Sequence, residues 1–75
     1  MAAMSPEAPT NQPRRLIRIQ AVMAMTGLSR SSVYRLASAG EFPQTVRLSQ
    51  VSVAWVESEV RGWIESRIAA RGQVG

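Results

Sequence analysis

The sequence has 75 residues, no cysteine or histidine, and nine arginines against five glutamates, which gives a formal net charge of +4. A chain of this length holds one small domain, and without cysteine and histidine it has no disulfide bonds and lacks the usual zinc and iron ligands. Aspartate and lysine are absent as well, so few groups remain for acid–base or nucleophilic catalysis, and we expect a binding protein without cofactors instead of an enzyme.

Residues 1–13 contain three prolines among small and polar residues and show no hydrophobic period, which predicts a disordered N-terminal tail. This segment lacks the basic start and the apolar stretch of a signal peptide, and no segment of the chain is apolar enough to cross a bilayer. We expect a cytoplasmic protein with no membrane partner. Its folded domain is predicted to cover residues 14–71, with residues 72–75 as a C-terminal tail.

Two arginines, Arg14 and Arg15, stand where the tail meets the domain. Such a pair either follows a phosphate backbone or enters a minor groove, or it is only a solvated boundary. The next four residues, L-I-R-I, are too short for an independent strand, and we expect an extended segment that docks against a later hairpin or precedes the first helix. That helix is predicted over residues 20–25, ending at Thr26 and Gly27.

A second helix is predicted over residues 29–39, with Ser29 as its N-cap and Gly40 after its end. Helical spacing buries its positions 33, 36 and 37 and turns Ser31, Arg35 and Ser38 outward, with Arg30 and Tyr34 on one shoulder. Two helices hinged at a glycine are typical of a helix-turn-helix, but they also occur in many other small helical domains. The pattern alone therefore leaves nucleic-acid binding at even odds.

The distribution of charge favours nucleic-acid binding. Residues 14–50 hold six arginines and one glutamate, whereas residues 51–75 hold three of each. The basic half therefore contains the second helix, residues 29–39, which is the predicted recognition helix of the helix-turn-helix. Contact with phosphates requires such a placement of positive charge. The exclusive use of arginine agrees with coding bias in a GC-rich genome, but such a bias does not explain the clustering.

After Pro43 the pattern changes from helical to alternating. Residues 46–48 and 51–55 are β-branched runs separated by Ser49 and Gln50, which predicts a short hairpin at about residues 45–55, here called the wing. Alternation places Val53 and Trp55 on one face, inward, and turns Arg47 outward, away from its apolar neighbours Val46 and Leu48, where it is able to touch a phosphate.

The last helix is predicted over residues 57–71, with Val60, Trp63, Ile64 and Ile68 on one face that covers the core, and Gly72 at its end. We interpret Trp55 and Trp63 as core residues and not as base-stacking platforms. The predicted fold class is mainly α with a small β-hairpin, a winged helix-turn-helix.

Four segments, in this order and spacing, resemble the AlpA family of prophage regulators: L-I-R-I-Q-A-V, T-G-L-S-R-S-S-V-Y-R-L, G-E-F-P-Q-T-V-R-L and V-A-W-V-E-S-E-V-R-G-W-I-E-S-R. The resemblance covers residues 16–71. It implies a MerR-like or excisionase-like winged helix-turn-helix that binds DNA and regulates transcription, and some relatives of the family are excisionases that bend attachment-site DNA for an integrase. The contacts it implies are Arg47 in the wing and, in the recognition helix, Ser29, Arg30, Ser31, Ser32, Tyr34 and Arg35.

The leading hypothesis is a sequence-specific regulator of a prophage or integrative element, with the recognition helix in the major groove of double-stranded DNA. An excision factor would use the same surface. A third hypothesis assigns a different class of function: a protein-interaction module that docks an integrase or a polymerase subunit through the electrically neutral last helix and residues 66–74. Self-association on adjacent DNA sites fits any of these, because one small domain covers little DNA.

Overall fold

A computed structural model describes residues 14–73 of the protein. In chain order the elements are β1 (Leu16–Ile17), α1 (Ile19–Thr26), α2 (Arg30–Ser38), β2 (Val46–Arg47), β3 (Val53–Val56) and α3 (Glu57–Ala70), followed by a 3-10 turn at Arg71–Gln73. The tail predicted at residues 1–13 and the last two residues of the predicted C-terminal tail lie outside the described residues. Three helices beside a small antiparallel sheet agree with the predicted mainly-α, winged helix-turn-helix-like fold.

The turn between α1 and α2 forms where the sequence predicts it. Gly27 has φ 78° and donates its N–H to the Met23 carbonyl at 2.8 Å. A side chain resists this left-handed conformation, so glycine is the residue that ends α1 at the lowest cost. Thr26 supports the turn, since its hydroxyl donates to the Val22 carbonyl at 2.8 Å and accepts the Leu28 N–H at 3.2 Å.

The C-terminal end of α2 is a Schellman motif built on Gly40. This residue has φ 79° and donates its N–H to the Ala37 carbonyl at 3.1 Å, while Glu41 donates its N–H to the Leu36 carbonyl at 2.8 Å. The motif satisfies carbonyls that the helix end would leave unpaired and turns the chain back, so that Phe42 enters the core.

The sheet has three strands in the order β1-β3-β2, all antiparallel. The sequence predicted the two-stranded hairpin and left open whether the extended segment before α1 docks against it. The extended segment at the start of the domain is the additional strand, with Ile17 opposite Trp55. The Glu57 N–H continues this pairing to the Arg15 carbonyl at 2.8 Å. An isolated two-stranded hairpin is marginal in water, so β1 stabilises the wing by giving its long strand a second neighbour.

The core lies between the three helices and the inner face of this sheet. Trp55 is fully buried and its indole N–H donates to the Pro43 carbonyl at 3.1 Å, which confirms it as a core residue. Trp63 is only partly buried; it packs edge-on against Phe42 at 4.8 Å and donates to the Glu41 carbonyl at 2.9 Å. The buried cluster consists of Ile17, Ile19, Val22, Val33, Phe42, Trp55 and Val60.

Helix α3 covers the core with its first half only. Val60 is fully buried and Trp63 and Ile64 pack against the cluster, but Ile68 is 44% exposed, so its predicted place on the covering face is wrong. At 1.5 Å per residue, Ile68 lies about 12 Å along the helix from Val60, beyond the edge of so small a core. The helix ends at Ala70, and Gly72 lies in the following 3-10 turn instead of ending the helix.

None of the helices in residues 14–73 combines the length and the apolar character needed to span a bilayer.

Candidate nucleic-acid interface

Helix α2 presents the side chains that the sequence predicted for its outer surface. Arg30, Ser31, Tyr34, Arg35 and Ser38 are exposed, whereas Val33 is fully buried and Leu36 and Ala37 pack against the core. Ser29 is the N-cap, as predicted, and its side chain accepts the Ser32 N–H. The helix is therefore fixed at its first turn with an arginine-bearing and serine-bearing face toward solvent.

A chain of hydrogen bonds runs along this face and was not foreseen from the sequence. The Ser29 hydroxyl donates to the Ser32 hydroxyl oxygen at 2.9 Å, and Nη2 of Arg35 donates to the same oxygen at 3.3 Å. The spacing of these residues could have indicated the chain of bonds, because Ser32 and Arg35 follow the N-cap Ser29 by three and six residues and therefore lie on the same face of the helix.

Tyr34 joins the exposed face to the core. Its ring lies 5.7 Å from the Trp55 ring, centroid to centroid, at an interplanar angle of 55°, while 37% of the residue remains exposed. Together with Ser29, Arg30 and Ser31 it lines a shallow, open surface depression. Tyr34 thus fixes this surface against the sheet and also forms part of it.

The strand register places Arg47 on the same side of the sheet as α2. Arg47 stands opposite Val53, and directly opposed residues of an antiparallel pair point to the same face. Val53 and Trp55 share a face by strand alternation, and it is on this face that Tyr34 meets Trp55. Arg47 therefore lies on the face of the two residues predicted to point inward, and its predicted place on the opposite face is wrong. It is nevertheless exposed, so this wing residue and α2 are able to face a single partner.

The tip of the wing is closed by its own backbone. The N–H groups of Leu48 and Ser49 both donate to the Ser52 carbonyl, at 2.8 and 3.2 Å, and the Val51 N–H donates to the Ser49 hydroxyl at 3.2 Å. These bonds fix a short uncharged tip beside Arg47, so Arg47 is the charged group through which the wing can meet an anion.

The predicted pair Arg14 and Arg15 lies at the other edge of the sheet from β2 and Arg47. Both are exposed and precede β1, and β1 and β2 occupy opposite edges of the sheet. Nε of Arg15 is 4.0 Å from the Glu57 carboxylate, which is also 3.5 Å from Nη2 of Arg61. Arg15 therefore already has a partial counter-charge within the domain.

The arginines of α2 and the wing differ from Arg15 in this respect. Within residues 14–73, no carboxylate lies within 4.0 Å of the guanidinium groups of Arg30, Arg35 or Arg47. Arg67 on α3, by contrast, lies over the Trp63 ring at 5.6 Å. The three arginines of α2 and the wing are therefore free to meet an outside anion, as are the exposed Arg14, Arg18, Arg67 and Arg71, which also have no carboxylate within 4.0 Å among the described residues.

Comparison with known proteins gives three matches. The family model described as "Prophage CP4-57 regulatory protein (AlpA)" matches residues 15–68. "Uncharacterized protein ORF88" of Enterobacteria phage P4 is 49% identical over 57 residues, which are 76% of this chain and 65% of the phage protein, so the chain spans just under two thirds of that relative. The "DNA-binding transcriptional activator AlpA" of Escherichia coli (strain K12) is 30% identical over 59 residues, 71% of this chain and 84% of the activator.

Proposed function

The chain belongs to the AlpA family of prophage regulatory proteins, and from this premise we propose that it regulates transcription by sequence-specific binding to double-stranded DNA. The observation that carries the proposal is the exposed face of α2, whose two arginines have no carboxylate within 4.0 Å among the described residues. The family assignment also agrees with the expectation that the chain is not an enzyme, since the named E. coli relative is a transcriptional activator.

In this proposal α2 enters the major groove, which is wide enough to admit one helix. Arg35 reads a guanine, because a guanidinium can donate two parallel hydrogen bonds to O6 and N7 of that base. Arg30, Ser31 and Tyr34 contact phosphates or base edges nearby, and Arg47 contacts the backbone from the wing. The DNA-binding activity named for the E. coli relative supports this assignment.

The small size of the domain favours several copies on adjacent sites. A single module of this kind covers about 600 to 1,000 Å² of its own surface on DNA, less than a typical specific complex. Repeated sites would therefore increase the affinity of the protein for its target DNA.

The test is selection of a preferred duplex from random sequences, followed by affinity measurements at increasing salt concentration. If about four phosphates are neutralised, log K falls with log[salt] at a slope of roughly −3.6, which is about a hundredfold between 50 and 200 mM. A protein that binds no duplex at 50 mM salt, or all duplexes equally, would overturn the proposal.

The assignment of α2 is tested by Arg35→Ala, with Arg61→Ala as the matched control on α3. Loss of a bidentate base contact costs about 1 to 3 kcal/mol of discrimination, so R35A is expected to lose its preference at one base pair while keeping its fold. The R61A variant removes the same charge from a residue paired with Glu57 and should discriminate like the parent. Equal discrimination by R35A and the parent would show that α2 is not the reading element.

A further inference from the structure

We infer that Ser32 is a positioning residue for Arg35: its hydroxyl oxygen holds the guanidinium in the orientation that reads a base, and Ser29 fixes that oxygen in turn. The inference rests on the proposed DNA-binding function and refines it. The resemblance to the family implied only that all three residues contact DNA, whereas the structure assigns them different tasks.

The donor and acceptor capacities of the two serines lead to this assignment. Ser29 accepts the Ser32 N–H at 3.2 Å and donates its own proton to the Ser32 oxygen at 2.9 Å, so it has no proton left for a phosphate. The Ser32 oxygen accepts from Ser29 and also from Arg35 at 3.3 Å. Because a hydroxyl oxygen has two lone pairs, both are occupied, and only the proton of Ser32 remains for an acceptor on DNA.

The bond to Ser32 leaves Arg35 able to read a base. A guanidinium has five N–H donors, and one of them points to Ser32, so four remain for a bidentate contact. Helical side chains lean toward the helix N-terminus, which explains why Arg35 reaches back by three residues to Ser32. The guanidinium is thereby held beside the first turn of α2 before any DNA arrives.

Ordering the arginine in advance lowers the loss of rotamer freedom on binding. Immobilising one long side chain at an interface weakens binding about two- to tenfold, and a side chain that is already ordered avoids part of this penalty. Arg30 is the natural contrast, because none of the side-chain hydrogen bonds within residues 14–73 involves its guanidinium. We therefore expect Arg30 to act through its charge and Arg35 through its geometry.

The experiment compares Ser32→Ala and Ser32→Thr with a matched control, Ser58→Ala, which removes the hydroxyl of an exposed serine on α3. The duplexes are the selected one and one changed at the base pair that Arg35 reads. That base pair is the one at which R35A loses its preference. The N-cap bond uses the Ser32 main-chain N–H, so S32A keeps the cap, and circular dichroism and the melting temperature should be close to those of the parent.

We expect S32A to lose about two- to tenfold of the discrimination at that base pair, S32T to restore it, and S58A to retain it. In the R35A background, S32A should have no further effect on discrimination. An equal loss from S32A with and without Arg35 would overturn the inference, because Ser32 would then contact DNA independently.

Two failures are distinguishable. A parent protein that binds all duplexes equally would overturn the proposed function, and with it this inference. A parent that discriminates, together with an S32A variant that discriminates equally well, would overturn the inference alone.

Discussion

Helices α2 and α3 both carry arginines on their solvent-facing sides, but they use them in opposite ways. On α3, Arg61 lies 3.5 Å from Glu57 and Arg67 lies over the Trp63 ring. On α2, Arg35 is hydrogen-bonded to a neutral serine, and no carboxylate of residues 14–73 lies within 4.0 Å of it. The neighbours of an arginine, and not only its presence, therefore indicate whether its guanidinium is already engaged within the domain or is available for an anionic partner.

The ends of the two helices differ as well. Helix α2 has nine residues, a serine N-cap and a left-handed glycine after its last turn. Helix α3 has 14 residues, no side-chain cap at its start, and an end that passes directly into a 3-10 turn. A short helix depends more on its caps, while the longer α3 is held by the packing of its first half against the core.

The largest effect is expected from Trp55→Ala, because this residue supports both helices. Its ring contacts Tyr34 of α2 and packs edge-on against Phe42 at 6.5 Å, the residue on which Trp63 of α3 rests. Removing a fully buried tryptophan costs about 3 to 5 kcal/mol, which is enough to unfold a domain of this size. Urea denaturation followed by far-UV circular dichroism measures the loss. Val51→Ser is the control at a residue that is 92% exposed, and a loss below about 1 kcal/mol for W55A would contradict the structure.

The next effect, on duplex affinity, compares an arginine of the proposed interface with an exposed arginine of α3. Arg47→Ala should make the salt slope shallower by about 0.9 and weaken binding about eightfold at 0.1 M salt, equally for all duplexes, since one phosphate contact is lost. Arg67→Ala removes the same charge from above Trp63 and should leave the slope unchanged. Fluorescence anisotropy titrations across a salt series compare them, and equal slopes for both variants would remove the distinction.

A smaller effect, on the free energy of unfolding, is expected from a substitution at the end of α2. Gly40→Ala forces a side chain into φ 79°, although nothing lies within 4 Å of the added carbon, so strain alone should cost about 1 kcal/mol. This corresponds to a decrease of about 4 to 8 °C in melting temperature. Gly72→Ala has equally open space and no left-handed backbone, and calorimetry should show almost no change. A similar decrease for both variants would show that the Schellman motif does not stabilise α2.

The smallest effect is expected from Glu57→Gln. Its two arginine partners are well exposed, with side-chain exposures of 72% and 62%, and exposed ion pairs contribute at most about 1 kcal/mol. The melting temperature should hardly change. Because Arg15 loses its counter-charge, duplex affinity at low salt should increase slightly, by no more than about twofold, if the arginines before β1 approach phosphates. Unchanged affinity would indicate that Arg15 belongs only to the domain boundary.

Much of the candidate site could be predicted because its determinants are local. Ser29 as N-cap, Gly27 and Gly40 at the helix ends, and the outward direction of Arg35 follow from the preferences of residues a few positions apart. Alternation along β2 did not give the face of Arg47, because the pairing of Arg47 with Val53 places it on the face of Val53 and Trp55, which were predicted to point inward. The bond between Arg35 and Ser32 was not foreseen, since periodicity gives the face on which a side chain lies but not the rotamer it adopts.

The sequence by itself determined the helix-turn-helix, its caps and the basic surface, because each depends on neighbours within one or two helical turns. Only the tertiary structure decided that Leu16–Ile17 is the third strand of the sheet, that Ile68 lies beyond the core, and that the Glu41 carbonyl receives the Trp63 indole N–H. These features join segments far apart in the chain or depend on where the core ends. Whether they form therefore depends on tertiary packing and on the entropy of closing the loops between those segments. A local pattern of residues contains no information about either.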